Sequence, residues 1–429
     1  MNEPQANRHM IGMDQLCIGL HIKLDSWLGH PFLMSNFKIK NQGQIDALRS
    51  MGLTEIEYFP KKSDAKPIAP AAASAPAPTP TPAESAAAAT LKQLMKEKKE
   101  HMETLHTARA RIRAAEKKYA ETASAAKNIM RIAANKPIQA AEQAQAIANE
   151  MAETFLSEQP NYLHLMDDNV ADESGVFFHQ VNVSVLSLTL ARALGINDPE
   201  ITRDIAQGAL LHDVGKVMIP SQVLLKDEGL TQAEIKLLNT HPAYGIKVMQ
   251  PVESLSPRVR EIILSHHEML DGSGFPRGLK GDAVNKAVRI VTIANAYDNL
   301  CNQRVVSRSR TPSEALAHMY KNELAKFDEK ALSAFIKALG VYPPGTIVLL
   351  KSGRVGIVMS VDSTDLLYPN LMVYDQSVPK EQAAIVNLRR DLDDTVERTL
   401  RPSALPQVIH DYLSPRKRVC YFADNTVPA

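Results

Sequence analysis

Residues 205–216 read Ile205-Ala206-Gln207-Gly208-Ala209-Leu210-Leu211-His212-Asp213-Val214-Gly215-Lys216, an apolar helical run that ends on an imidazole and a carboxylate. Ile205, Ala209 and His212 fall at four- and three-residue steps, one face of a helix. Upstream, His179, Val183, Leu186 and Leu190 follow the same pattern, as do Val259, Ile262, His266 and Leu270 downstream. Each histidine thus continues a core-facing stripe, where an unpartnered polar group costs about 2–7 kcal/mol. One buried cation can partner several such groups. Adjacent helix residues diverge by about 100°, so the doublets His212-Asp213 and His266-His267 can each address two neighbouring ions. With His241, Asn295 and Asp298, the set offers the imidazole and carboxylate ligands that zinc, iron or manganese take. A single histidine of this kind is usually a hydrogen-bonded core residue. Two doublets among further histidine stripes in one segment point to a dinuclear metal site.

The 429 residues suggest two or three domains. Hydrophobic residues at 45%, charged residues at 23% and a net charge of +1 describe a globular chain and give no basis for coating a nucleic acid. Cys17, Cys301 and Cys420 are far apart and form no CxxC pair, which predicts neither a disulfide framework nor a thiolate zinc site and fits the cytoplasm. No apolar run reaches about 18 residues, so no membrane span is expected. The first ten residues lack the basic-then-apolar pattern of a secretory leader.

Outward from the histidines, the expected architecture is mainly α, with five parts. Residues 1–62 read as a small mixed β domain, with strand-like Leu16-Cys17-Ile18, Leu20-His21-Ile22 and Phe37-Lys38-Ile39 and a helix over 44–51. Residues 63–90 are a Pro/Ala linker whose Pro-x-Pro repeats favour extended backbone. Residues 91–136 form a long connecting helix. Leu91, Leu105, Ile112 and Tyr119 make a heptad-like seam, interrupted by Lys98 and His101, which fits either a helix packed on the next domain or a homodimer through 91–131. Residues 137–340 are helical, with N-terminal signals at Asp198-Pro199, Thr231/Glu234 and Thr311/Glu314 and stops at Gly195 and Gly215. Residues 341–429 open with a hairpin, 346–350 and 355–359 around Ser352-Gly353, then a strand at 371–374.

His212-Asp213-Val214-Gly215-Lys216 resembles the signature of HD-superfamily phosphohydrolases. Ile219-Pro220, His241-Pro242, His266-His267-Glu268, Asp271-Gly272-Ser273-Gly274-Phe275-Pro276, Gly278-Leu279 and Tyr297-Asp298 narrow the resemblance to the HD-GYP family over about 170–335. The name-giving Gly-Tyr-Pro is here Gly274-Phe275-Pro276. Residues 10–60, with Trp27, Pro31-Phe32 and Phe37, resemble a domain of unknown function that often precedes this module. The resemblance implies an HD-type helical bundle that hydrolyses the bacterial second messenger cyclic di-GMP to linear pGpG, and in some members to GMP. It implies two divalent ions, iron or manganese, held by His179, His212, Asp213, His241, His266, His267 and the position of Asn295, with Asp213 bridging. It places Lys216 near the phosphate, Arg304 and Arg308 on the substrate and Phe275 against a guanine. It also suggests a protein partner at the Gly-Phe-Pro loop.

Two departures carry a second reading. Family members with three metals place a Glu four residues before the first His; Gly175 stands there, and Glu173 is out of register. The usual Asp ligand twenty-eight residues after the histidine pair is Asn295, a neutral amide with weaker affinity for a cation. Asp298 keeps the second acidic position, one turn on, as an outer support. The alternative is a catalytically impaired module that binds nucleotide or a partner and signals without turnover. The retained histidines, Asp213 and Lys216 favour the enzyme.

Overall fold

The computed structural model describes residues 9–24, 30–32, 35–69, 82–157, 162–165, 178–226, 229–303, 305–361, 367–376, 378–380, 383, 385–392, 394–415 and 419–424. Trp27, Glu173, Gly175 and Arg304 lie outside them, as does the Pro-x-Pro stretch before Pro82.

The N-terminal unit comprises β1 (His9–Gly12), β2 (His21–Lys23), β3 (Asn36–Lys38), α1 (Gln42–Ser50) and β4 (Glu55–Tyr58). Its antiparallel sheet has the order β1-β4-β2-β3. Leu20, Ile22, Ile39, Ile45 and Leu48 form its core. The mixed β character matches expectation, but Leu16-Cys17-Ile18 lies outside the strands, leading into a turn at Ile18, and β1 and β4 were not anticipated.

Helix α2 runs from Pro82 to Ala133, so it begins inside the stretch read as extended linker. Pro82 is the last proline before a run of alanines, and alanine is the best helix former; proline is tolerated in a first turn. Tyr119 of the seam, with Ala115 and Ile129 on the same helix, is buried within the chain's own helical core, and Leu94 packs on the N-terminal core; the side chains of Leu91, Leu105 and Ile112 lie outside the described residues.

The helical domain follows as α3 (Pro137–Leu156), the short strand β5 (Tyr162–Leu165), α4 (Phe178–Ala193), α5 (Pro199–Leu211), α6 (Ser221–Leu224), α7 (Gln232–Leu238), α8 (His241–Val248), α9 (Pro257–Ser265), α10 (Lys286–Cys301), α11 (Pro312–Asn322) and α12 (Glu329–Leu339). Helix α5 is central and packs against α3, α4 and α9. Its start is set by Asp198, whose carboxylate accepts from the amides of Glu200 and Ile201; Thr231/Glu234 and Thr311/Glu314 form the expected capping boxes.

The C-terminal unit contains β6 (Ile347–Leu350), β7 (Val355–Val361), β8 (Asn370–Val373), β9 (Ile385–Asn387), β10 (Val396–Leu400), α13 (Gln407–Leu413) and β11 (Tyr421–Asp424). The hairpin and the following strand are where the sequence puts them. The unit is less separate than a boundary at 341 implies. Strand β5 from the helical domain pairs with both β7 and β11, and the Tyr297 and Tyr421 hydroxyls hydrogen-bond at 2.9 Å in the core. Among the described residues, no helix is long and apolar enough to cross a membrane.

Candidate metal centre

The histidines gather because helix ends converge. His212 closes α5, His266 closes α9, His241 opens α8 and His179 lies in the first turn of α4. The doublets therefore sit at helix C-termini, where the second member has already left the helix. Gly215 allows the convergence: a Cβ there would lie 1.9 Å from the His241 carbonyl oxygen and 2.3 Å from the Gly245 nitrogen. Read from sequence as a helix stop, Gly215 instead permits two backbones to touch. Gly274 does the same for the following loop, where a Cβ would meet the His267 carbonyl oxygen at 2.4 Å.

Hydrogen bonding sets the tautomers. The Nδ1 of His212, His241 and His266 faces the carbonyl oxygens of Ala209 (2.6 Å), Leu238 (2.7 Å) and Ile263 (3.1 Å). The His179 Nδ1 faces Asp298 Oδ2 at 2.6 Å. A carbonyl or carboxylate oxygen only accepts, so each Nδ1 carries the proton and a neutral ring presents a bare Nε2. Burial, partly offset by Asp213, lowers the pKa of His212. Burial, then neighbouring rings, holds His266 and His267 well below the usual range. For Asp213, burial opposes ionisation, but Lys216 and the rings of His212 and His241 outweigh it and hold the carboxyl well below its usual range.

The bare nitrogens meet in pairs: His179 with His212 at 3.2 Å, and His241 with His266 at 3.1 Å. Asp213 lies between the pairs. Its Oδ2 is 3.4 Å from His212 Nε2 and 3.7 Å from His179 Nε2; its Oδ1 is 3.2 Å from His241 Nε2 and 3.8 Å from His266 Nε2. Oδ1 is buried and receives no hydrogen bond from the described residues. Lone pairs facing lone pairs and a carboxylate repel unless a cation lies among them. A nitrogen spacing near 3.1 Å suits neighbouring ligands on one ion with bonds of about 2.1 Å. The donor atoms form two groups that share Asp213: His179 with His212, and His241 with His266 and His267. These residues fit a pair of divalent ions.

The other expected residues divide. Lys216 Nζ donates to Asp213 Oδ2 at 2.5 Å, so it meets the shared carboxylate. Phe275 stacks on His267, ring centres 4.5 Å apart, which covers one of its faces. Asn295 is buried, and its amide oxygen accepts from Asn299 at 2.8 Å. Arg308 is exposed in a short turn after α10. A cavity of about 260 Å³ opens on His266, His267 and Asn295 and is also lined by Gln303 and Lys326, neither of which was anticipated.

Asp298 accepts from the His179 ring, and its further partners were not anticipated. Its Oδ1 accepts from Asn182 and Asn302, both at 2.9 Å. Both amides also donate to the Val419 carbonyl, while Tyr421 N donates to Asn182 Oδ1. Asn182 had a signal: it is polar, lies in an apolar run and falls three residues after His179 on one helix face. The C-terminal contribution had none, because Val419 acts through its backbone. Asp298→Asn is expected to weaken metal binding about 10–100-fold, as loss of a ligand's outer partner does, with the fold retained. Calorimetric titration with manganese checks this; unchanged affinity would detach Asp298 from the centre.

A profile described as HD domain matches residues 85–331, more than half of the chain. The chain belongs to the HD domain family. A second profile, described as a domain of unknown function (DUF3391), matches residues 9–144, extending past the N-terminal sheet through α2. Among curated relatives, a cyclic di-GMP phosphodiesterase of Pseudomonas aeruginosa is 32% identical over 228 residues, 53% of this HD-domain chain and 54% of that one. A cyclic di-GMP phosphodiesterase response regulator of Xanthomonas campestris is 36% identical over 149 residues, 34% of this chain and 39% of that one. A 3'3'-cGAMP-specific phosphodiesterase of Vibrio cholerae is 33% identical over 165 residues, 38% and 35% of the two chains. The chain thus spans about half or less of these relatives.

Proposed function

We propose that this HD-domain chain hydrolyses a phosphodiester of cyclic di-GMP to give linear pGpG, using two divalent ions, iron or manganese, shared through Asp213. The observation that carries the reading is one buried carboxylate whose two oxygens each face a pair of bare imidazole nitrogens. The ions, when bound, supply Lewis-acid activation of water and of a phosphoryl oxygen. The protein's part is to hold the ligand atoms, keep His212, His266 and His267 neutral by burial and place charge near the phosphate. Lys216 offsets one oxygen of Asp213 and lies partly open, where a phosphate can share it. Lys326, which pairs with Glu323, Arg308 and Arg304 are further cations for the substrate, and Phe275 would stack on a guanine. The three free cysteines agree with the cytoplasm, where such a messenger would be met. A homodimer through 91–131 and a partner protein at Gly274-Phe275-Pro276 complete the proposal; a chain starting near Pro137 that keeps the full-length oligomeric state would remove the first.

Purified protein loaded with manganese or iron should linearise cyclic di-GMP faster than 3'3'-cGAMP. No turnover of either with any metal would reject the enzyme in favour of a nucleotide-binding module without catalysis. That second reading is favoured by Asn295, which brings no negative charge and already accepts from Asn299. The Asn295→Asp variant is expected to bind manganese about 10-fold more tightly, because it adds a carboxylate beside the imidazoles. Equal or weaker affinity by calorimetry would take position 295 out of the ligand set.

A further inference from the structure

A second cavity, of about 970 Å³, opens between the N-terminal sheet, α2 and the β6–β7 turn, and none of its lining residues belongs to the metal centre. Hydrogen bonds tie its walls together. Lys98 Nζ donates to the His30 carbonyl at 2.6 Å, Arg354 Nη2 to the Asn36 carbonyl at 3.2 Å and Lys40 Nζ to the Leu392 carbonyl at 3.3 Å.

The lining is cationic. Lys38, Lys40, Lys98, Lys351 and Arg354 face two carboxylates, Asp64 and Asp394, a difference of three positive charges. Lys38 pairs with Asp64 at 2.9 Å, and Asp375 lies near Arg354; with Asp375 counted, the excess among the described residues is two positive charges. His21 adds none, because burial lowers its pKa to about 4. Burial also brings the Lys98 ammonium down to about 8, and a bound anion would oppose that shift. One wall is apolar: Phe32 and Phe37 pack with ring centres 4.6 Å apart, beside Pro31.

We infer that this cavity binds a nucleotide, with its phosphates among Lys40, Lys98, Lys351 and Arg354 and its base against Phe37. Inorganic phosphate would leave most of the volume empty, whereas small-molecule sites span about 300–1,000 Å³. The planar guanidinium fork of Arg354 suits phosphate oxygens, and an aromatic face accepts any base. The site is independent of the hydrolytic reading, since its walls come from the N-terminal and C-terminal units and α2.

The test titrates the full chain with N-methylanthraniloyl-GDP in metal-free buffer and reads ligand fluorescence. Saturable one-to-one binding is expected, weakened about 10-fold or more in the Lys40→Glu/Lys351→Glu double variant. Both lysines are exposed, so an unchanged melting temperature is expected to show that this variant is folded. Binding should persist in Asp213→Asn. No saturable signal, equal affinity in the folded double variant, or binding that disappears with Asp213→Asn would each overturn the site.

Discussion

Asp213→Asn is expected to lower manganese content from two ions per chain to less than one and to reduce turnover of cyclic di-GMP on the order of 10³-fold or more. The substitution keeps side-chain shape but removes the negative charge and one acceptor oxygen. The two imidazole pairs then lose the group that links them: Oδ2 faces His179 and His212, and Oδ1 faces His241 and His266. Loss of any single imidazole would leave one ion with its other ligands, whereas Asp213 would serve both. Metal analysis after dialysis and a turnover assay check this, with helix content by circular dichroism as the control for folding. A variant that keeps two ions, or that keeps most of its activity, would contradict the shared role.

Gly215→Ala is expected to destabilise the protein by about 3 kcal/mol, a fall in melting temperature on the order of 10 °C. The added Cβ would lie 1.9 Å from the His241 carbonyl oxygen and 2.3 Å from the Gly245 nitrogen. Both neighbours are backbone atoms, so no rotamer relieves the contact. The turn after α5 must instead separate from the start of α8. That motion carries His241 away from Asp213, so metal affinity should fall with stability, by about 10-fold or more. A melting temperature within a degree of the parent would show that the two segments part easily. Loss of stability with full metal affinity would show that His241 does not depend on this contact.

The gathering of histidines was largely legible because it is made by side chains, several of them on periodic stripes. His179, His212 and His266 each interrupt or end an apolar stripe, and burial turns an interruption into a question about partners. The roles of glycines were harder to read. Gly215 follows the HD doublet and looks like a helix stop, yet its value lies in contact with α8, which is 26 residues away in sequence and invisible to local pattern. Lys216 was read for its charge and proves to touch the shared carboxylate. The start of α2 was misjudged because the Pro-x-Pro repeat dominated its window, while the alanines after Pro82 had little weight against it. The link between β11 and Asp298 through Asn182 and Asn302 uses main-chain atoms of Val419 and Tyr421. Composition carries no trace of such bonds, and pairing across 117 to 239 residues is a tertiary outcome.

The central claim is that one carboxylate joins two cations. Diffraction from crystals grown with manganese, measured at the manganese absorption edge, tests it most directly. Two anomalous peaks are predicted, one beside Asp213 Oδ2 with His179 and His212, the other beside Oδ1 with His241, His266 and His267. A single peak, or peaks away from Asp213, would contradict it.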